Sequence, residues 1–230
     1  ISAGNSTMID TVGGLPLDSI YTDMSAENGV TYYYQVKSRD MENNESVASN
    51  TASAIPRGIK YVHASSGSDV TGTGSTLAPY ATIQHSLQQA TNGDTIYVRP
   101  GIYEENINFN GKNISVTGDD RETTIIDGGQ NGSVVTFNNG DNENALLANF
   151  TIRNGYSEDG GGIYCYSSSP TIRDIIITSN NSSDDGAGIY IGYEANPTLD
   201  NLEIFNNTAA DHAGGIFVSN HSSPIIKNCD

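Results

Sequence analysis

From Gly160 onward the chain repeats with a period of about 27 residues. Gly160-Gly161-Gly162-Ile163-Tyr164 returns as Gly186-Ala187-Gly188-Ile189-Tyr190 and as Ala213-Gly214-Gly215-Ile216-Phe217. Pro170, Pro197 and Pro224 keep the same spacing. Each opens a matching stretch: Pro170-Thr171-Ile172-Arg173-Asp174-Ile175, Pro197-Thr198-Leu199-Asp200-Asn201-Leu202 and Pro224-Ile225-Ile226-Lys227-Asn228-Cys229. A unit of this size holds about three short strands and three turns and cannot bury its own apolar side. Stacked units share one continuous interior, so the period constrains the fold to a solenoid. Successive coils then lie ~4.8 Å apart, the spacing of paired strands, and equivalent residues form ladders along the axis.

The aligned positions sort by chemistry. Ile163, Ile189 and Ile216 are all apolar, as are Ile172, Leu199 and Ile226, and Ile175, Leu202 and Cys229; these three rows are predicted to face inward. The next position holds Ile176 in one coil and Glu203 in another, which predicts an outward row. Asn180 and Asn207 share a bend, with Asn154 nearby in a slightly shorter coil, and stacked amides there can bond one another and the turn backbone. The glycine pairs fit turns that need positive φ or leave no room for a side chain. Cys165 aligns with Ile191 and Val218. Both cysteines therefore read as small apolar core residues in separate coils, too far apart for a disulfide.

Composition closes off other classes. The chain carries 27 Asp and Glu against 10 Lys and Arg, a formal charge of −17 and a pI near 4.3. Nucleic acid and anionic membrane surfaces are repelled by that balance. No apolar run is long enough to span a bilayer, which argues against membrane insertion in this segment. Gly and Asn each number 25, which disfavours a helical protein.

Upstream the texture differs. Over 30–38 apolar and aromatic residues alternate between turn signals at Glu27-Asn28-Gly29 and 40–44, and a second short strand is expected over 48–54. From Lys60 the pattern changes to a short strand over 61–63, a Gly/Ser/Thr loop over 65–74, and a helix over 79–90 with Ile83, Leu87 and Ala90 on one face. Short apolar runs follow at 95–98, 107–109, 114–116, 124–126, 134–137 and 146–152, separated by Gly, Asn or Asp. These signals divide the chain into a module over 1–56, a linker over 57–60 and the solenoid over 61–230.

Two resemblances accompany this division. Tyr21-Thr22-Asp23, Asn28-Gly29-Val30-Thr31-Tyr32-Tyr33-Tyr34, Val36, Asp40, Asn44-Glu45-Ser46, Ser49-Asn50 and Ala54-Ile55-Pro56 resemble the last strands of a fibronectin type III domain. That implies a partial β-sandwich with Tyr32 as its corner tyrosine. Residues 60–230 resemble the right-handed parallel β-helix of the pectin-lyase-like superfamily. Besides the repeat, the lead-in matches at Tyr61-Val62, Gly67-Ser68-Asp69, Gly72, Gly74-Ser75, Pro79-Tyr80, Thr82-Ile83-Gln84, Gly93-Asp94-Thr95-Ile96, Val98, Pro100-Gly101 and Tyr103. The resemblance implies an all-β, three-sided, right-handed parallel β-helix whose N-terminal end is capped by the helix over 79–90. At Asp230 an open end is expected to meet more chain or a docked partner. The same scaffold carries lyases, hydrolases, adhesins and inert stalks, so activity has to be argued from particular residues.

Two sets of residues are candidates. Glu158-Asp159, Asp184-Asp185 and Asp211-His212 precede the three glycine turns and should stack along one edge. Close carboxylates repel and a hard cation relieves the repulsion, which makes Glu158, Asp159, Asp184, Asp185 and Asp211 candidate Ca²⁺ ligands. The alternative is a solvated turn whose carboxylates cap nearby amides. Tyr164, Tyr166, Tyr190 and Tyr193 are candidates for stacking on sugar rings, with half-buried strand packing as the alternative. A lyase of the resembled type needs an Arg or Lys base beside the substrate carboxylate. Arg153, Arg173 and Lys227 are the coil cations, but Asp200 falls between the last two in the stack. A polygalacturonase-type hydrolase pairs its acids with His-Gly and Arg-x-Lys, whereas His212 is followed by Ala213 and no Arg-x-Lys occurs. The leading expectation is a non-catalytic scaffold, secreted or on a cell surface, that binds polysaccharide or a surface protein. A Ca²⁺-dependent polysaccharide lyase or glycoside hydrolase is the second, and a filament subunit that self-associates through the open end is the third.

Overall fold

A computed structural model describes residues 31–54 and 56–230, except Arg39 and Met41. The chain divides after Pro56 into two units. In the first, Tyr32–Tyr34 pairs antiparallel with Ala52–Ala54. The alternation over 30–38 predicts a longer strand, but regular pairing stops after Tyr34. Beyond it the amides of Ser49 and Ser46 still donate to the carbonyls of Val36 and Ser38 at 2.8 Å, but the return bonds from the Val36 and Ser38 amides go to the Ser49 and Ser46 hydroxyls at 2.9 Å. Residues 21–30, which carry much of the fibronectin resemblance, lie outside the described residues, and the described part is a two-stranded hairpin.

In the second unit each named strand pairs in parallel with its equivalent one coil away. The first face runs through Ile59–Val62, Thr95–Val98, Ser115–Gly118, the opening halves of Leu146–Arg153, Thr171–Thr178 and Thr198–Phe205, and Ile225–Lys227. The second face runs through Gly101–Glu104, Thr124–Asp127 and the closing halves of the three long strands. The third runs through Ile107–Asn108, Val135–Phe137, Ile163–Tyr166, Ile189–Gly192 and Ile216–Val218. Short strands Tyr156–Ser157, Asn181–Ser182 and Thr208–Ala209 line the corner before it. Among the described residues no helix is long and apolar enough to cross a membrane.

Each of the three long strands bends at one left-handed residue, and Asn228 repeats the bend just after Ile225–Lys227. Asn149, Asp174, Asn201 and Asn228 have φ of 63°, 57°, 55° and 53°, and Asn201 Nδ2 donates to Asp174 Oδ1 at 2.8 Å. Asn and Asp tolerate that region because their short side chains bond locally. The bend breaks strict alternation, so the inward positions fall at Ile172, Ile175 and Ile177, all fully buried. The Ile163–Ile189–Ile216 row is in register as expected and continues upstream through Val135 to Ile107. Each buried rung removes a side chain worth about 1.5–3 kcal/mol from water.

Several expectations need correction. Ile176 leaves the core but is only 7% exposed. It lies in register between Thr151, whose hydroxyl donates to the Arg121 carbonyl at 2.7 Å, and Glu203, which ion-pairs with the Arg121 side chain. Asn180 and Asn207 do form an amide ladder at 3.0 Å, with the Gly155 amide on Asn180 Oδ1 at 2.9 Å. Asn154 stands one position earlier, bonded to Ser179 of the next coil, and donates its side-chain amide to Asp127 instead. The helix is Ile83–Gln89 rather than 79–90. Asp69 accepts from Ala81 and Thr82, Thr82 is extended, and it caps the helix by accepting from His85. The segment expected as a linker is partly built into the first coil, since Ile59 opens a strand and Gly58 donates to buried Asp94. Both cysteines are free; Cys165 is buried, and burial pushes its thiol up to about 12.

Candidate functional site

The turn into the third face depends on glycine. Gly160 and Gly186 hold φ of 60° and 59°, and Ala213 takes 52° at the same rung. A Cβ on Gly161 would lie 2.1 Å from the Asn181 carbonyl oxygen, so the backbones of adjacent coils meet with nothing between them. That close packing sets the acidic residues just before each turn. Glu158, Asp184 and Asp211 form an outer row joined by amide-to-carbonyl bonds of 2.9 and 3.0 Å. Asp159, Asp185 and His212 form an inner row. There the Asp185 amide donates to Asp159 Oδ1 at 3.2 Å and the His212 amide to Asp185 Oδ1 at 3.0 Å.

Two groups of ligand atoms result. Asp159, Asp184 and Asp185 each bring a carboxylate oxygen within 4.8 Å of the others, and Asp185, Asp211 and His212 do the same with an imidazole nitrogen. The first is an all-oxygen set of the kind a hard cation takes; the second mixes nitrogen and oxygen. Glu158 falls outside both groups. Sequence reasoning put Asp211 rather than its neighbour His212 among the ligands, although His212 lies one repeat beyond Asp185. Burial pushes the Asp159 carboxyl above its ordinary range; the Asp185 amide opposes this, and the charges of Asp184, Asp185 and Glu158 add to it. The hydrogen bond to Asp185, then the charge of Asp211, raise the His212 imidazole.

All four candidate tyrosines come together on the outside of the third face. Tyr193 stacks on Tyr166 (centroids 5.0 Å, 12°), Tyr166 on Tyr164 (5.9 Å, 7°), Tyr164 on Tyr190 (5.4 Å, 10°) and Tyr190 on Phe217 (5.8 Å, 25°). Phe217 lies 5.9 Å from the His212 ring, so the stripe runs into the acidic edge. The rings spend much of their face area on one another, which the sequence could not show. Tyr190 is 8% exposed while Tyr193, at the stripe's end, is 55% exposed. Tyr193 and Glu194 hold φ of 61° and 60°, two consecutive left-handed residues without glycine. Such strain persists where surroundings enforce it, often at functional positions. Burial pushes the Tyr164 hydroxyl up to about 12, which keeps it a hydrogen-bond donor.

The coil cations are engaged elsewhere. Arg153 pairs with Asp127 at 2.8 Å, Arg173 with Asp174 at 2.5 Å and Lys227 with Asp200 at 3.1 Å, on the first and second faces. Asp200 lies in register between Arg173 and Lys227, as the spacing predicts.

Comparison with known proteins bears on the fold. A family model described as "Right handed beta helix region" matches residues 108–230, more than half of the chain. No curated protein matches. Among solved structures, the chain is similar to a native GH136 lacto-N-biosidase from Eubacterium ramulus, with a TM-score of 0.48 and 12% identity. The likeness covers 68% of this chain and 36% of that one, well under two thirds of the enzyme's length.

Proposed function

The chain belongs to the right-handed β-helix family, and from that premise we propose that it is a rigid, non-catalytic scaffold that binds polysaccharide along its third face, outside the cell or on its surface. The observation that carries this reading is the unbroken run from Tyr193 through Tyr166, Tyr164 and Tyr190 to Phe217, ending against His212 and Asp185. Aromatic surface beside acceptor carboxylates and phenol hydroxyls suits sugar rings, which present C–H faces and hydroxyl rims. Repetition along the axis suits a polymer, because equivalent weak contacts add up along one chain. Arg153, Arg173 and Lys227, each held by a carboxylate on another face, support binding over base-catalysed elimination.

A second reading, glycoside hydrolysis, is favoured by one observation. Burial, then neighbouring charge, raise the Asp159 carboxyl where it lies beside those of Asp184 and Asp185, and a raised carboxyl within reach of a second one is the arrangement that acid-catalysed cleavage uses. Glycan-array binding with and without Ca²⁺, followed by a product assay on each hit, tests both. Binding without turnover, reduced about tenfold in Tyr193→Ala, supports the scaffold. Release of reducing or unsaturated sugar overturns it in favour of an enzyme. Absence of glycan binding together with self-association that rises with concentration overturns it in favour of a filament subunit. Chelation that weakens binding assigns Ca²⁺ to Asp159, Asp184 and Asp185; unchanged binding leaves the edge a solvated turn.

A further inference from the structure

The first coils carry a groove of about 350 Å³ on the first face, lined by Tyr61, His63, Ser66, Pro79, Arg99 and Pro100 among others. Arg99 contributes a guanidinium to its wall. The Arg99 guanidinium carbon lies 5.8 Å from the centroid of Tyr61 and 5.4 Å from that of Tyr97, and the two rings meet edge to face at 5.9 Å. The Tyr97 hydroxyl donates to Asp119, which holds its ring in place. The Arg99 amide donates to Val62 O at 2.9 Å, and its carbonyl accepts from the buried Tyr103 hydroxyl at 2.8 Å. Arg99 is thus anchored at both backbone groups and along its side chain.

Among the described residues no carboxylate lies in ion-pair reach of Arg99. Among the described residues Lys37, Lys60, Arg121, Arg153, Arg173 and Lys227 each have a carboxylate in ion-pair reach, and Lys112 is bonded to three carbonyls. Arg57 and Arg99 have neither, in a chain whose acids outnumber its Lys and Arg 27 to 10. A guanidinium held over ring faces keeps its N–H edges free, and those edges match a planar carboxylate two bonds at a time. His63 adds a donor: its Nδ1 accepts from the Ser66 amide at 3.1 Å and faces Ser66 Oγ at 2.5 Å, which leaves the ring proton on Nε2.

We propose that this groove binds one carboxylated sugar unit, with Arg99 taking the carboxylate and the Tyr61, Pro79 and Pro100 walls receiving the sugar ring. The overall charge of −17 repels a long polyanion and leaves a single acidic unit as the ligand that fits. The site shares no residue with the third-face stripe and does not depend on that reading.

Titration of the full chain with glucuronate, glucose and N-acetyl-aspartate, followed by calorimetry and amide NMR, tests the assignment. Glucuronate is expected to bind and to shift Tyr61 and Arg99 resonances, with glucose and N-acetyl-aspartate about tenfold weaker or worse. Arg99→Lys keeps the charge but loses the fork and is expected to weaken glucuronate about tenfold, while Arg99→Gln abolishes binding and Tyr193→Ala leaves it unchanged. Equal binding of glucose, or glucuronate binding unchanged in Arg99→Lys and Arg99→Gln, overturns the site. Equal binding of N-acetyl-aspartate overturns the sugar in favour of a peptide carboxylate. Where Arg99→Gln fails to fold, Arg99→Lys decides.

Discussion

Between Ile59 and Asp127 the loops and the capping helix are tied by buried and half-buried charged side chains, whereas in the repeating coils stacked amides and glycine share that work with the carboxylates of Asp141, Asp159 and Asp185. In the early coils Asp94 gathers the amides of Gly58 and Thr91, and Asp69 those of Ala81 and Thr82. The capping helix is gripped at both ends: Glu105 accepts from Ile83 and Gln84 at 2.8 and 2.9 Å, and Lys112 donates to the carbonyls of Leu87, Gln88 and Ala90. In the repeating coils Asn180 and Asn207 do comparable work without charge. The difference follows from register. Where coils match, turn amides such as those of Gly186, Ala187 and Gly188 find a carbonyl in the next coil; where they do not, a side chain with two acceptor oxygens collects the orphans. Charged anchors carry a desolvation cost that stacked amides avoid.

The comparison breaks most readily at the core of the repeating coils. Ile189→Ala is expected to cost about 2–5 kcal/mol in urea unfolding, because a fully buried ladder rung leaves a cavity. On the irregular side, Lys112→Met is expected to cost about 1–3 kcal/mol by stranding three carbonyls at the helix end. Hydrogen exchange should localise that loss to Ile83–Gln89 and spare Ile163–Tyr166; uniform loss would erase the distinction between the regions.

Acid sharpens it further. Burial pushes Glu105 above its ordinary 4.5, against bonds from the Gln84 and Ile83 amides, so the folded chain binds that proton more tightly than the unfolded one. Its contribution favours folding below about 4.5 and is lost as pH rises through the folded value. Asp69 and Asp127 run the other way. Burial raises them, but hydrogen bonds outweigh it and leave both below 3.8; their stabilisation is present above 3.8 and lost as pH falls through the folded values. Thermal melts of Glu105→Gln across pH 4 to 7, a range set around the ordinary carboxyl value, should therefore gain on the parent chain as pH rises. The smallest effect lies at the third glycine turn. Ala213→Gly relieves a positive φ and is expected to add about 0.5–1 kcal/mol, read as a rise in Tm.

The repeat made the third-face ladder, the acidic edge and the gathering of the tyrosines legible, because residues one period apart must meet once the chain winds. Ile107 and Val135 were not assigned to that ladder. Its rungs are spaced by 28, 28, 26 and 27 residues, and the early coils share no motif by which to align them. The start of the helix was hidden because Asp69, which accepts from Thr82, lies outside any local window. Ring orientation was hidden for another reason: spacing brings Tyr164 over Tyr190, but only side-chain torsions decide that they stack face on face. The Arg99 groove depends on a loop folding beside the first coil, which no periodicity announces.

The file of stacked phenol rings has a practical side. With 13 tyrosines and no tryptophan, the chain has no brighter chromophore to mask them. Rings this close and nearly parallel exchange excitation, so a guest settling on that strip changes the tyrosine emission and the near-ultraviolet dichroism. The surface offered to a ligand is also an optical reporter, and it needs no dye.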